Sequence, residues 1–151
     1  YFKDINKYHQ IIHETDLANN FSEYYKKNKK KLSNYMQKAI SNGNKYSAKD
    51  YAEAIDFMKR SYESYKEVFE DYHGVLSPSS PGVAPKGLKS TGTAEFNKYW
   101  SFMGTPCISL PLLQGENNLP LGVQLIGDKY DDLRFLGIAR WLEQKSKDYN
   151  E

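Results

Sequence analysis

The chain has 151 residues, of which 26% are charged, and its formal net charge at pH 7 is +2. So small a charge argues against nucleic acid and anionic membrane as partners, and the charged fraction is that of ordinary soluble domains. No apolar run approaches the roughly 18 residues that a membrane span needs. The single cysteine, Cys107, excludes a disulfide within the chain. It favours a reducing compartment, so we expect a cytoplasmic protein.

Composition changes near His73. All six prolines and nine of the ten glycines lie beyond this residue. Because proline and glycine interrupt regular structure, this predicts a helical segment over residues 1–73 and a loop-rich α/β segment over residues 74–151. We therefore expect the α/β class, with a helical first half followed by a small set of strands and a terminal helix. The two segments are expected to form one domain, itself incomplete.

Apolar spacings of three to five residues predict three helices in the first half. A glycine, Gly43, is expected to end the second of them as a left-handed stop. Ser47 and Asp50 resemble a capping box at the start of the third. The predicted ranges are residues 4–31, with a break near Asn19 and Asn20, then residues 32–40 and 47–72.

Two features of the first half have functional alternatives. His9 and His13 would share one helix face at metal-ligand spacing, but no third ligand accompanies them. We therefore favour surface or packing histidines and expect no metal. The lysines of residues 26–31 could bind phosphate, but no aromatic or glycine-rich partner is interleaved with them. A solvated helix end is the favoured interpretation.

Short apolar runs predict strands at residues 75–76, 107–110 and 121–126. Pro106 and Pro120 introduce the last two runs, and Pro111 is expected to close the run that starts at Cys107. If their upstream neighbours in the sheet are missing, the last two strands should expose an unpaired edge, which invites self-association. A helix is predicted over residues 131–145, with a broad apolar face made by Leu133, Leu136, Ile138, Ala139, Trp141 and Leu142.

The second half contains two kinds of candidate nucleophile. Ser79 and Ser80 lie between prolines, without the Gly-x-Ser-x-Gly elbow or a nearby base, so a structured proline loop is favoured. Cys107 lies in an apolar strand. We expect a buried and inert thiol there, because burial raises the pKa of a cysteine.

An ordered set of short motifs occupies residues 71–143. With these motifs the second half resembles the C-terminal portion of the amidase signature enzymes, and the helical half resembles them more loosely, through Gly43 and the residues from Ser47 to Ala54. The motifs are Leu76-x-Pro78-x-x-Pro81, Ala84-Pro85, Phe96-Asn97, Trp100-Ser101, Gly104-x-Pro106, Ile108-Ser109-Leu110-Pro111 and Leu119-Pro120-Leu121-Gly122-Val123-Gln124-Leu125-Ile126-Gly127.

The resemblance implies a serine amidohydrolase that cleaves carboxamide C–N bonds, with a small-molecule amide as its substrate. It also implies a mixed sheet, of which this chain supplies a part. The family uses a serine nucleophile, a second serine and a lysine, and needs neither a metal nor another cofactor. A neutral lysine can relay a proton through the second serine, while backbone amides hold the oxyanion.

The catalytic segments of that family do not occur in these residues. There is no Gly-Gly-Ser-Ser-Gly-Gly type of segment, and the prolines beside Ser79 and Ser80 do not match it. The first residue is Tyr1 rather than Met, so we expect the C-terminal part of a longer amidase. This part would complete the core and the substrate pocket and would carry no catalytic residue.

The resemblance further implies that the aromatic segment and the proline loop form walls of the substrate pocket. The candidate substrate-binding residues are Phe96, Trp100 and Ser101, with Thr91 behind them. An equal alternative for Trp100 is a core anchor under the sheet. Two other functions stay open: a non-catalytic module that binds a partner through its helical half, and an amidotransferase A-type subunit, which needs partner subunits.

Overall fold

The computed structural model describes the backbone of residues 2–150 and the side chains of residues 4–148. Within these ranges the α/β class is confirmed, with a helical first half, a small sheet and a terminal helix. No helix of this part of the chain is long and apolar enough to cross a membrane. The elements are α1 (Phe2–Asn20), α2 (Ser22–Asn28), α3 (Asn34–Gly43), α4 (Ala48–Asp71), β1 (Val75–Pro78), α5 (Glu95–Met103), β2 (Cys107–Gln114), β3 (Pro120–Ile126) and α6 (Asp132–Asn150).

The chain forms two compact units, residues 1–61 and residues 62–151. The helix α4 supplies residues to both. The expected division into two segments of one domain, at residue 73, stays a prediction. The predicted break of the first helix is confirmed, because α1 ends at Asn20 and α2 begins at Ser22.

In the first unit, α3 packs closely against α1 at Gly43. A Cβ atom on Gly43 would lie 1.9 Å from the carbonyl oxygen of Glu14 and 2.9 Å from the Cβ of Ala18. Gly43 has no positive φ and is the last residue of α3. The predicted left-handed stop is therefore wrong: glycine is needed here because the two helices approach closely, not because the backbone turns.

A buried carboxylate joins α1 to the end of α3. Glu14 is buried and accepts hydrogen bonds from Gln10 at 3.2 Å, Asn42 at 3.1 Å and Tyr46 at 3.0 Å. These donors replace the water that the carboxylate loses on burial.

The capping box at the start of α4 is confirmed. The Ser47 hydroxyl accepts from the Asp50 amide at 3.1 Å, and the Asp50 carboxylate accepts from the Ser47 amide at 2.8 Å. These two hydrogen bonds satisfy amide groups that have no partner inside the helix.

The second unit contains an antiparallel sheet with the strand order β1-β3-β2. Leu125 in the central strand β3 lies opposite Leu76 in β1 and Ile108 in β2. The predicted open edge along residues 121–126 is therefore wrong, because β3 is paired on both sides. Among the described residues, β2 is an edge strand, as expected for residues 107–110. Self-association stays a prediction.

The prediction that Pro111 ends β2 is wrong: the strand continues to Gln114, with an irregular register between Leu110 and Leu113. The Gly127 amide donates to the Pro106 carbonyl oxygen at 3.0 Å, so Pro106 faces β3. Because backbone groups alternate along an antiparallel pair, the backbone groups of Leu110 also face β3. Pro111 lies on an edge strand where the register becomes irregular, and prolines are tolerated at such positions.

The helix α6 packs on the sheet through a narrower face than the sequence predicts. Its buried residues Phe135 and Ala139 form a cluster with Leu125 of β3. Leu133 is 89% exposed and Trp141 is 58% exposed. The broad apolar face is therefore only partly correct, and Phe135, which the sequence analysis did not select, lies at its centre.

Candidate substrate-binding site

The loop of residues 79–94 connects β1 to α5, and its start is fixed on the sheet. The Ser79 amide donates to the Gly122 carbonyl oxygen at 2.9 Å, and the Ser79 and Ser109 hydroxyls share a hydrogen bond of 2.6 Å. A Cβ on Gly122 would lie 2.6 Å from the Ser109 Oγ and 2.8 Å from the Ser79 Oγ. Glycine at this position therefore lets the two hydroxyls meet above β3.

Two further contacts hold the loop. The Val83 side chain lies against Gly115, where a Cβ would come within 2.4 Å of a Val83 methyl. The Asn97 side chain in α5 donates to the Ser79 carbonyl oxygen at 3.3 Å. The loop is therefore attached to β3, to the turn between β2 and β3, and to α5.

The loop forms a cleft of about 400 Å³, which we call the proline-loop cleft. Its lining consists of residues 80–85, residues 91–93 and Pro120. The Ser80 hydroxyl donates to the Gly82 carbonyl oxygen at 2.6 Å. Gly92 has a φ of +87° and faces the Pro85 ring, which a Cβ would meet at 3.9 Å. A residue with a side chain would be strained in that backbone conformation.

The aromatic segment folds as the helix α5, which the sequence analysis left unassigned. Gly104, with a φ of +70°, ends this helix in the left-handed conformation. The start of the helix is held by Gln124, which is 3% exposed. The Gln124 Nε2 donates to the carbonyl oxygen of Phe96 at 2.9 Å and to that of Pro78 at 3.0 Å. One side chain of β3 thus positions the ends of both β1 and the loop.

The four predicted substrate-binding residues lie in two places. Thr91 lines the proline-loop cleft. Phe96, Trp100 and Ser101 are on α5 and do not contribute to the lining of that cleft. Phe96 is half-buried, and Ser101 is exposed. Their assignment to substrate binding stays a prediction.

Trp100 is 8% exposed, and its surroundings are those of a core residue. Its ring meets the Tyr65 ring edge to face, with centroids 5.3 Å apart. Its carbonyl oxygen accepts from the Thr105 amide at 3.1 Å and from the Thr105 hydroxyl at 3.3 Å. These contacts support the interpretation of Trp100 as an anchor that fixes α5.

Thr93 also lines the cleft, and the sequence analysis missed it. No local pattern marks it, because the backbone between Thr91 and Thr93 is not extended: Gly92 has a φ of +87°. Ser79 and Ser80, weighed as nucleophiles, instead have hydrogen bonds that shape the loop.

Cys107 is exposed, so its predicted burial is wrong. Side chains alternate between the two faces of β2, and it is the neighbouring Ile108 that packs on the buried cluster. Its sulfur is nevertheless partly covered, and this desolvation raises the pKa of the thiol, while a side-chain hydrogen bond with Thr105 acts in the opposite direction. A raised pKa leaves little thiolate at neutral pH, so the group is a weak nucleophile.

Outside the cleft, the Tyr62 hydroxyl donates to the Asp128 carboxylate at 2.5 Å. The Lys129 Nζ lies 3.9 Å from the centroid of the Tyr62 ring. Burial, and then the Asp128 carboxylate, raise the pKa of Tyr62 to about 12. Burial also lowers the pKa of Lys129.

The described residues contain no group of three or more His, Cys, Asp or Glu side chains that could hold a metal ion. His9 and His13 stack their rings, with centroids 5.8 Å apart.

Known proteins resemble this chain over most of its length. The Amidase family model matches residues 2–136. The A-type subunit of the glutamyl-tRNA(Gln) amidotransferase of Alkaliphilus metalliredigens is 34% identical over 103 residues, which cover 63% of this chain and 21% of that protein. The fatty acid amide hydrolase of Arabidopsis thaliana is 27% identical over 111 residues, which cover 66% of this chain and 18% of that protein.

The solved structure of an amidase superposes with a TM-score of 0.80 at 20% identity, covering 93% of this chain and 35% of that one. The likeness confirms that the helices, the small sheet and the terminal helix are part of the amidase signature fold. The chain spans only about a fifth to a third of these relatives, from 18% to 35% of their length. Because the family model matches most of its residues, the chain belongs to the amidase signature family.

Proposed function

We propose that the chain is the C-terminal part of a serine amidohydrolase that cleaves carboxamide C–N bonds. The observation that carries this proposal is the partial coverage, since 93% of the chain corresponds to 35% of a solved amidase. The C-terminal placement follows from the resemblance of the second-half motifs. The nucleophilic serine and the lysine of the family would come from another part of the protein, because their motif is not among these residues.

The contribution of this chain would be to bind and orient the amide substrate, not to transfer a proton. The anchored loop supports such a role, because a wall fixed to the sheet loses little freedom when a ligand binds. Thr91, on the loop, would offer a hydroxyl to the substrate. Phe96, Trp100 and Ser101, on α5, are the other candidate substrate-binding residues, and Trp100 is equally a candidate core anchor.

Sequencing the gene upstream of the codon for Tyr1 tests this proposal. We expect a Gly-Ser-Ser-Gly-rich stretch and, before it, a lysine segment. Ammonia release from amides by the full-length protein is the second test. There, Thr91→Val should raise KM several-fold with little change in kcat, while Ser41→Ala, at an exposed position in α3, should change neither. An upstream sequence without these segments would exclude the amidohydrolase.

A second candidate is an amidotransferase A-type subunit, which the name of the Alkaliphilus relative favours. Such a protein would need partner subunits, so the full-length protein should co-purify with other gene products and release ammonia from glutamine only with them.

The non-catalytic module that binds a partner through the helical half would be favoured if the 151 residues proved to be the whole translated product. Size-exclusion chromatography of the chain tests self-association.

A further inference from the structure

We propose that the proline-loop cleft takes the uncharged acyl portion of a small neutral carboxamide and rejects amides that carry a carboxylate or an ammonium group. This inference rests on the proposed function and specifies the substrate class for the same site. It also separates the two catalytic candidates, because glutamine carries both charges on the portion that would enter the cleft.

The composition of the lining is the first argument. None of residues 80–85 and 91–93 carries a charge, and neither does Pro120. A carboxylate or ammonium group placed against such a lining would lose part of its water without gaining an ionic partner, which is unfavourable. Apolar surface, by contrast, gains from burial there.

The polar groups of the lining point to the same class. The Ser80 hydroxyl is already engaged with the Gly82 carbonyl oxygen at 2.6 Å. Thr91 and Thr93 carry the remaining side-chain hydroxyls of the lining. Two hydroxyls suit a neutral carbonyl or amide group, which needs one or two hydrogen bonds, but they do not neutralise a charge.

The size and attachment of the cleft are the third argument. Its volume of about 400 Å³ lies within the range of ~300–1,000 Å³ found for small-molecule sites. Val83 is held against Gly115, and Ser79 is held on β3. The lining is thus largely formed before any ligand arrives, and an acyl group of a few carbons would fill it without rearrangement.

The test is a nuclear magnetic resonance titration of the ¹⁵N-labelled 151-residue chain with amides of matched length. Butanamide is the neutral probe, and succinamate differs from it by a carboxylate; glutamine is the third probe. We expect saturable shifts of the amide signals of Ala84, Thr91 and Thr93 with butanamide. Succinamate and glutamine at the same concentration should give shifts at least ten times smaller.

Two variants test whether the absence of charge in the lining causes the selectivity. Ala84→Lys places a cation in the lining and should abolish the butanamide shifts and produce shifts with succinamate. Ala52→Lys, at an exposed position on α4, is the matched control and should leave both unchanged. Equal shifts with butanamide and glutamine, or no butanamide shift at these residues, would overturn the inference. An upstream gene sequence without the catalytic segments would exclude the amidohydrolase but would not change selective butanamide binding by the cleft. Failure of the proposed function and failure of this inference are therefore distinguishable.

Discussion

The Nε2 atom of Gln124 lies 2.9 Å from the carbonyl oxygen of Phe96, and this contact fixes the first turn of α5 on the central strand. The same atom reaches the carbonyl oxygen of Pro78 at 3.0 Å. Both ends of the loop that bears the proline-loop cleft are therefore held by one buried amide. The geometry of the candidate site depends on a residue that does not line it.

Replacing Gln124 by Met, which is similar in shape but donates no hydrogen bond, should lower the free energy of unfolding by about 1–3 kcal/mol, because two carbonyl oxygens lose their donor. Urea unfolding followed by tryptophan fluorescence measures this, since Trp100 and Trp141 both lie in the second compact unit. Gln144→Met, at an exposed position on α6, should stay within about 0.5 kcal/mol of the parent. Equal effects of the two substitutions would contradict the role of Gln124.

Two glycines should respond oppositely to alanine. Gly122→Ala places a Cβ 2.6 Å from the Ser109 Oγ and should destabilise the second unit by about 1 kcal/mol, because the Ser79–Ser109 hydrogen bond is displaced. Gly137→Ala in α6 meets no atom within 4 Å and should stabilise it by about 0.5–1 kcal/mol, through helix propensity. The same urea titration compares them, and two shifts of the same sign would contradict this account.

Gly43→Ala should loosen the packing of α3 on α1. The new Cβ would lie 1.9 Å from the backbone oxygen of Glu14, and a backbone atom cannot rotate away, so we expect a loss of about 1–3 kcal/mol. Hydrogen exchange of the α1 and α3 amides detects it as faster exchange. Gly82→Ala, where a Cβ meets nothing within 4 Å, is the control. Unchanged protection in Gly43→Ala would show that the helices adjust without cost.

Ionisation of Tyr62 should lower the free energy of unfolding at alkaline pH. Its pKa is raised to about 12 in the folded protein, against about 10 for an unfolded chain. Between these values the folded state binds more protons than the unfolded state, so the free energy of unfolding decreases as pH rises from 10 to 12. Below pH 10 the contribution of Tyr62 to the free energy of unfolding is fully present.

Absorbance at 295 nm measures this titration directly. One tyrosine of the folded parent should ionise near pH 12, and this step should be missing in Tyr62→Phe. Tyr130→Phe, which alters a residue that is 98% exposed, should retain it. A step that survives in Tyr62→Phe would assign the high pKa to another residue.

Features governed by local spacing could be predicted from the sequence. The apolar periodicity located α1 and α4, and Ser47 with Asp50 marked the start of α4, because these patterns act over three or four residues. The family followed from the order of the second-half motifs, which needs no coordinates. Thr91 was selected through that resemblance, and it does line the cleft, although its binding role stays a prediction.

Features that depend on distant residues were decided by the tertiary structure alone. Because β3 pairs with both neighbours, residues 121–126 do not form the predicted edge. The close approach of α1 to α3 explains why residue 43 is a glycine. Tyr62 and Asp128 lie 66 residues apart in sequence, so no local pattern joins them. The sequence by itself determined the helices of the first half, the terminal helix, the apolar runs and the family. The fold decided the sheet order, the exposure of Cys107 and the place of Pro120 in the lining of the cleft. Packing brings together groups that lie far apart in the sequence, and no local sequence pattern records such contacts.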